Sequence, residues 1–236
     1  MAKALITWGG WEGHEPEQVA GIFARMLDGE GMEVHLTDSL APFDDGEALR
    51  GYALIVPVWT MSELSKEAAR NVSEAVARGT GLAGCHGGMC DAFRSNVLWQ
   101  FVTGANWVAH PGGDGVDYTV DIVSDDPLVA GIESFPVSSE QYYLHVDPAN
   151  EVLATTRFPT VEWYHAANGP VDVPVAWKRV WGNGRVYYNA LGHKASVIAQ
   201  GPAHEMLRRG LVWAAEGKAA AGAGDVSRWA AEGNHY

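Results

Sequence analysis

The sequence predicts an α/β fold, a three-layer sandwich in which helices cover both faces of a mostly parallel central sheet. Short apolar runs alternate with segments whose apolar residues recur at helical spacing, and this alternation is typical of parallel sheets built from βαβ crossovers. Most of these segments end at glycine, the usual punctuation between elements. The 236 residues, of which 19% are charged, are enough for one large domain with a sizeable core.

The first half of the chain predicts four strands and three helices, in alternation. The strands are expected at residues 4–8, 32–36, 52–59 and 81–86. The helices are expected to begin at Pro16, at Ser65 and near Asp91, and to end near Gly29, Gly79 and Gly104. Proline fits the first turn of a helix and glycine fits its end, so these boundaries agree with local preference.

The second half is richer in strands and closes with a helix. Alternating or apolar runs predict strands at residues 116–123, 151–156, 173–181 and 185–191, and Gly182-Asn183-Gly184 makes the last two a hairpin. A final helix is expected from Pro202 to about Glu216. We therefore expect one domain over residues 1–217, followed by an Ala/Gly-rich, mobile tail over residues 218–236.

Charge and composition exclude several classes of partner. The chain has 16 Lys and Arg against 29 Asp and Glu, a formal charge of −13, whereas nucleic acids and anionic membranes require a basic surface. No apolar run is long enough for a transmembrane helix or a signal peptide. Two cysteines, Cys85 and Cys90, are too few for a disulfide framework, so we expect a cytoplasmic protein with reduced thiols.

Imidazole and indole side chains follow several predicted strands. Ligands of open parallel sheets bind outside the carboxyl ends of the strands, and the aromatic and imidazole residues at these ends are Trp11, His14, Trp59, His86 and His193. A single histidine at such a place is more often structural. Three that converge from different strands favour a binding or catalytic site.

The sharpest local signal is the glycine-rich turn Gly81-Leu82-Ala83-Gly84-Cys85-His86-Gly87-Gly88. Small residues around one reactive side chain permit a tight elbow between strand and helix. One register places His86 at the tip, facing solvent; the other places Cys85 there, as in an amidotransferase-like hydrolase. His193 is followed by Lys194 and Ala195, so the carboxylate that would orient the base for Cys85 is missing. A turn that serves only close packing is the third interpretation.

The same run begins a series of motifs that resembles the ThuA (trehalose-utilisation) family over residues 3–216. The further matching motifs are Gly13-His14, Phe93-Arg94-Ser95, Trp99, Gly104, His110-Pro111-Gly112, Asp126-Pro127-Leu128, Gly131-Ile132, Glu140-Gln141-Tyr142, Pro174-Val175-Ala176-Trp177, Gly184-Arg185-Val186-Tyr187-Tyr188-Asn189-Ala190-Leu191-Gly192-His193 and Leu211-Val212-Trp213-Ala214. The stretch Met89-Cys90-Asp91 departs from the family pattern, which puts substrate detail in doubt.

The resemblance implies a fold and a type of substrate. Its members resemble class I glutamine amidotransferases and flavodoxin in fold but carry histidine in place of the nucleophilic cysteine, which favours the His86 register. The family is linked to the breakdown of trehalose and related disaccharides beside dehydrogenases that make 3-keto sugars. A carbohydrate-processing enzyme that acts on a 3-keto sugar or glycoside follows as an expectation, with a sugar dehydrogenase as a pathway partner.

The catalytic candidates are His86 and His193 as acid and base, with His14 and Glu140 in support. A histidine at a helix N-terminus tends to stay neutral, and a neutral imidazole can both donate and accept a proton. The candidate sugar-binding residues are Trp11, Trp59, Trp107, His110 and Tyr142. Aromatic rings offer a broad apolar face for a sugar ring.

Three alternatives stay open at this point. His14, His86, His110, His193 and Glu140 are the ligand types that zinc or a related divalent ion prefers, although no short metal-binding spacing marks them. A non-catalytic sugar-binding or regulatory protein on the same scaffold is the second alternative, and a hydrolase that uses Cys85 is the third. A homo-oligomer is compatible with each of them.

Overall fold

A computed structural model of the protein describes residues 1–222 and 225–229. The strands are β1 (Lys3–Gly10), β2 (Glu33–Thr37), β3 (Leu54–Thr60), β4 (Gly81–Cys85), β5 (Ala105–Ala109), β6 (Val116–Ile122), β7 (Phe135–Ser139), β8 (Tyr143–Val146), β9 (Glu151–Phe158), β10 (Val171–Trp181) and β11 (Gly184–Asn189). The helices are α1 (Pro16–Gly29), α2 (Gly46–Leu49), α3 (Lys66–Ala77), α4 (Gly87–Cys90), α5 (Val97–Thr103), α6 (Ala195–Ile198) and α7 (Gly201–Ala220).

The predicted α/β class with a mostly parallel central sheet is confirmed. The described residues form a nine-stranded sheet in the order β2-β1-β3-β4-β11-β10-β9-β6-β7. Its first five strands run parallel, and the β10–β11 hairpin begins an antiparallel extension. In the register, Gly10 lies beside Thr60 and Asn189 beside Cys85, so the parallel strands end at one common edge.

Helices cover both faces of the sheet. Successive residues of a strand point to opposite sides, so each face of the sheet carries side chains that pack against a helix. On β11, Tyr187 lies directly against Gly210 of α7. Its neighbour Tyr188 packs instead on Trp177, whose indole donates to the Thr103 carbonyl at the end of α5. A methyl group added at Gly210 would lie 2.2 Å from the Tyr187 ring. Only glycine lets α7 approach the sheet this closely.

The helix expected from Asp91 to Gly104 is broken into two elements, and this expectation is corrected. The short helix α4 ends at Cys90, and α5 begins only at Val97. Between them the Asp91 carbonyl accepts from the Met61 amide, and the Phe93 amide donates to the Met61 carbonyl. This bridge uses backbone groups that a continuous helix would need. Asn96 then starts α5, since its side chain accepts from the Trp99 amide.

Other elements differ from expectation only in part. The hairpin and the strands β6 and β9 lie where they were expected, whereas β5, β7 and β8 were not predicted. Helix α7 runs to Ala220, so the first residues of the expected tail are helical. Residues 223, 224 and 230–236 of that tail lie outside the described residues. Within the described ranges, no helix has the length and apolar character that crossing a bilayer demands.

Candidate active site

Three histidines and one glutamate meet at the edge where the parallel strands end. His14 lies in a short 3₁₀ helix after β1, His86 follows β4, His193 follows β11 and Glu140 follows β7. All four residues are buried. The imidazole centroids lie 4.7 Å (His14–His86), 5.1 Å (His14–His193) and 5.5 Å (His86–His193) apart. We call these four residues the His–Glu cluster.

The Glu140 carboxylate lies at the centre of the cluster. Its Oε2 atom is 3.1 Å from Nε2 of His86, 3.2 Å from Nδ1 of His193 and 3.8 Å from Nε2 of His14. Burial alone would raise the pKa of Glu140, but the facing imidazoles outweigh it and hold that pKa well below its usual range. Glu140 is therefore a buried carboxylate anion.

The outward-facing nitrogen of each imidazole meets an oxygen of the protein. Nδ1 of His86 lies 2.7 Å from the Ala190 carbonyl, which only accepts, so this nitrogen carries the proton. Nδ1 of His14 lies 2.7 Å from the Thr60 hydroxyl, and Nε2 of His193 lies 3.5 Å from the Asp114 carboxylate. Burial is the main reason that the pKa of His86 falls to about 4. On the opposite side of the ring, Nε2 of His86 makes a 3.1 Å hydrogen bond with Oε2 of Glu140.

The glycine-rich turn forms an elbow whose tip is His86. Its backbone has φ +48°, an uncommon conformation for a residue with a side chain, and its amide donates to the Asn189 carbonyl. The two glycines after it make room: a methyl group at Gly87 would lie 2.6 Å from Cε1 of His14, and one at Gly88 would lie 2.9 Å from the Val58 Cα. The turn therefore brings the His14 and His86 rings together.

The expectation that His86 faces solvent is wrong. His86 is only 1% exposed, because a later segment of the chain covers the elbow. The Tyr142 ring stacks on the imidazole with centroids 3.9 Å apart, and Glu140 lies against the ring edge. The residues around the elbow carry no information about the loop of Glu140 and Tyr142, which lies more than fifty residues further along the chain.

Most of the residues expected to bind sugar surround the cluster. Trp11 is 45% exposed, with its ring 4.7 Å from that of His14 and 6.5 Å from that of His193. On the other side, Nδ1 of His110 is 3.7 Å from Oε1 of Glu140, and Trp107 lies between His110 and the Arg94 guanidinium. An aromatic side chain therefore lies on each side of the buried histidines.

Trp59 lies apart from the other expected sugar-binding residues. Its indole donates to the Ser62 hydroxyl, and its ring covers Gly9, where an added methyl group would lie 2.8 Å away. The residues described include no contact between Trp59 and the His–Glu cluster. The position of Trp59 at a strand end therefore predicted the correct edge of the sheet, but it did not predict the direction of the side chain.

Sequence reasoning missed three groups that touch the cluster. They are the Thr60 hydroxyl, the Ala190 carbonyl and the Asp114 carboxylate. Thr60 ends β3, so the strand-end rule could have included it. Asp114 stands in a glycine-rich loop close after His110, which is the only sequence signal it offers. A backbone carbonyl leaves no mark in the sequence.

Cys85 does not fit the role of nucleophile. It is almost wholly buried, and burial raises the pKa of its thiol to about 12, whereas the nucleophile in cysteine catalysis is the thiolate. Its sulfur lies against Gly192, where an added methyl group would be 2.8 Å away. The thiol stays protonated at neutral pH and has no base beside it among these contacts.

Comparison with known proteins connects this site to a family. The model of a family described as "ThuA: Trehalose utilisation" matches residues 3–214. No curated protein matches the sequence. The family description supports a role in sugar utilisation, and the match spans all four residues of the His–Glu cluster.

Solved structures with related folds are much less similar in sequence. A ThuA-like protein from Bacteroides uniformis is 20% identical, with a TM-score of 0.72 over 90% of this chain and 91% of its own. One from Parabacteroides merdae is 18% identical, with a TM-score of 0.69 over 92% and 90%. A β-galactosidase from Rahnella sp. R3 is 18% identical, with a TM-score of 0.59, and this chain covers 31% of its length. At these identities the likeness concerns the fold.

Proposed function

The chain belongs to the ThuA family, described as a family of trehalose utilisation, and from this we propose that it is an enzyme that processes an oxidised sugar at the His–Glu cluster. The substrate class is a 3-keto sugar or a 3-keto glycoside, supplied by a sugar-oxidising dehydrogenase. The observation that carries the proposal is the convergence of three buried imidazoles on one buried carboxylate.

Such a cluster suits proton transfer next to a ketone. A carbonyl group acidifies the neighbouring C–H, so a base that removes this proton forms an enolate and allows a glycosidic oxygen on the next carbon to leave. In this proposal His193 accepts the proton from carbon, and Glu140, 3.2 Å from its Nδ1, stabilises the imidazolium. The imidazolium then returns the proton to the departing glycosidic oxygen, so the products are an alcohol and an unsaturated keto sugar. His86 and His14 hold Glu140 in place from the other side.

The surrounding residues suit a sugar ring. The exposed Trp11 ring offers a flat apolar face next to His14 and His193, and sugars stack on such faces through their C–H groups. His110, Tyr142 and Asp114 supply polar atoms for ring hydroxyls. The negative charge of the chain suits a neutral ligand of this kind better than a sugar phosphate.

The test compares oxidised and unoxidised substrates. Purified protein is incubated with trehalose, 3-keto-trehalose and a 3-keto glucoside, and the products are identified by mass spectrometry. We expect conversion of the 3-keto compounds alone, and at least about a hundredfold loss of turnover in His193→Gln, because general base catalysis contributes about 10²–10⁴-fold. His35→Gln, on the exposed edge strand β2, is the matched control and should keep full turnover.

Two results would contradict the proposal. Equal turnover by His193→Gln and the unmodified protein would remove the histidine from the chemistry. Binding of the 3-keto sugar in calorimetry without any product would show a sugar-binding or regulatory protein instead.

A further inference from the structure

The inner atoms of the His–Glu cluster have the spacing of a metal-binding site. Four ligand atoms about 2.0–2.2 Å from a tetrahedral zinc ion are about 3.3–3.6 Å apart. Here Oε2 of Glu140 lies 3.1, 3.2 and 3.8 Å from the three inner imidazole nitrogens, and all four atoms lie within 4.8 Å of one another. The three oxygen–nitrogen distances are within about half an ångström of the separations in such a coordination shell.

At the centre, one carboxylate oxygen faces three imidazole nitrogens. Nε2 of His86 is buried 3.1 Å from Oε2 of Glu140, while Nδ1 of the same ring donates to the Ala190 carbonyl. Nδ1 of His193 is also buried and has no partner with hydrogen-bond geometry, although it is 3.2 Å from the same carboxylate oxygen. One proton can relieve only one such contact. One cation relieves all of them.

The outer nitrogens of the three imidazoles have partners of the kind that orient histidine ligands of a metal. Ligating histidines usually give their other N–H to a carbonyl, a carboxylate or another oxygen, which fixes the ring and its tautomer. The second nitrogens of His86, His14 and His193 face the Ala190 carbonyl, the Thr60 hydroxyl and the Asp114 carboxylate in this way. Packing alone does not require three histidines around one carboxylate, each with an oxygen at its second nitrogen.

We propose that the His–Glu cluster binds one divalent cation of the zinc type through Nε2 of His14, Nε2 of His86, Nδ1 of His193 and Oε2 of Glu140. Neutral imidazoles and a carboxylate are ligands that zinc, cobalt and manganese accept. When bound, the cation would polarise a carbonyl or hydroxyl oxygen of the ligand. The proton-transfer role would then pass from His193 to His110 and Asp114 at the mouth of the site.

This inference depends on the proposed function only for the identity of the substrate, so metal binding is tested without sugar. Untagged protein is stripped with dipicolinate, dialysed, and titrated with Zn²⁺, Co²⁺ and Mn²⁺ by calorimetry, and the bound metal is counted by elemental analysis. We expect one equivalent of at least one of these ions and, with Co²⁺, visible absorption bands of a nitrogen- and oxygen-ligated site.

The variants separate ligands from supporting residues. Glu140→Gln, which loses the central charge, should bind at least about a hundredfold more weakly. Asp114→Asn should lose about 10–100-fold in metal affinity, because it weakens the partner that orients the His193 ring. Since the Asp114 side chain is half exposed, this variant should fold normally. His35→Gln should bind like the unmodified protein. Circular dichroism confirms that each variant is folded.

Two outcomes would overturn the inference: less than about a tenth of an equivalent bound in the folded protein, or equal affinity in Glu140→Gln. Metal binding without turnover would leave the inference standing and refute the proposed function instead. Turnover that requires the metal would support the inference and the substrate class, and would assign the proton transfer to His110 or Asp114 rather than to His193.

Discussion

Replacing Gly87 by alanine tests whether the elbow glycine sets the position of His14. Its backbone φ lies outside the left-handed region, so the substitution acts through space alone. The new methyl group would lie 2.6 Å from Cε1 and 2.7 Å from Nδ1 of His14, and 3.0 Å from the Thr60 methyl. Ordinary carbon contacts are about 3.5–4.0 Å, so the His14 ring has to move by about 1 Å.

This displacement has two measurable consequences. Overpacking of a filled site costs about 1–3 kcal/mol, which for a domain of this size lowers Tm by about 2–12 °C. Moving the ring also strains its 2.7 Å contact with Thr60 and its approach to Glu140. A misplacement of about 1 Å in a catalytic site costs about a hundredfold in rate, and we expect that loss in sugar turnover.

The assay combines urea unfolding with turnover and metal titration of the same samples. Gly29→Ala is the matched control, because Gly29 ends α1 and an added methyl group there meets no atom within 4 Å. Gly29→Ala should leave sugar turnover unchanged and should change the stability in urea by no more than a small increase. Gly87→Ala with the stability and turnover of the unmodified protein would refute the argument that this glycine positions His14.

Three further predictions concern buried groups. His86→Ala should lower stability by about 1–3 kcal/mol in urea unfolding as well as abolish turnover, because a buried polar partner is left unsatisfied; loss of turnover with unchanged stability would contradict the observed burial. Cys85, whose pKa burial raises to about 12, should resist iodoacetamide at pH 8 in the folded protein and react in guanidinium, as followed by mass spectrometry; rapid labelling of the native protein would contradict this. Gly210→Ala should destabilise strongly through its 2.2 Å contact, whereas Gly21→Ala, on an accommodating part of α1, should not; equal Tm values would show that α7 can shift.

Local sequence signals were sufficient for most of the sheet. The strands β1, β3 and β4 are apolar runs bounded by polar or glycine residues, and Gly182-Asn183-Gly184 specifies the hairpin that joins β10 to β11. The break between α4 and α5 was beyond such signals, because the backbone of Asp91 and Phe93 bonds to Met61, a residue from a different crossover. Helix propensity depends on nearby residues in the sequence, so it does not predict competition from the Met61 backbone, which only the folded chain brings close.

The candidate site divides in the same way. The strand-end rule located His14, His86 and His193, since parallel strands have a common carboxyl edge. Glu140 has no such position: it follows an antiparallel strand, and only the resemblance to a family singled it out. The burial of His86 and the support from Asp114 depend on loops that fold over the edge. Contacts between loops that are distant in the sequence produce no residue periodicity or motif spacing from which they could be predicted.

The elbow shows why cysteine and histidine at adjacent positions are not interchangeable here. Cys85 is the last residue of β4 and His86 the first beyond it, and the backbone at His86 turns sharply at φ +48°. Adjacent side chains at a strand end point to opposite sides, so only one can enter the crevice. Cys85 lies against Gly192, where a methyl group would be 2.8 Å from its sulfur, while His86 meets Glu140. The fold thus presents an imidazole where an amidotransferase presents a thiolate, and the chemistry available at the crevice is that of histidine and carboxylate.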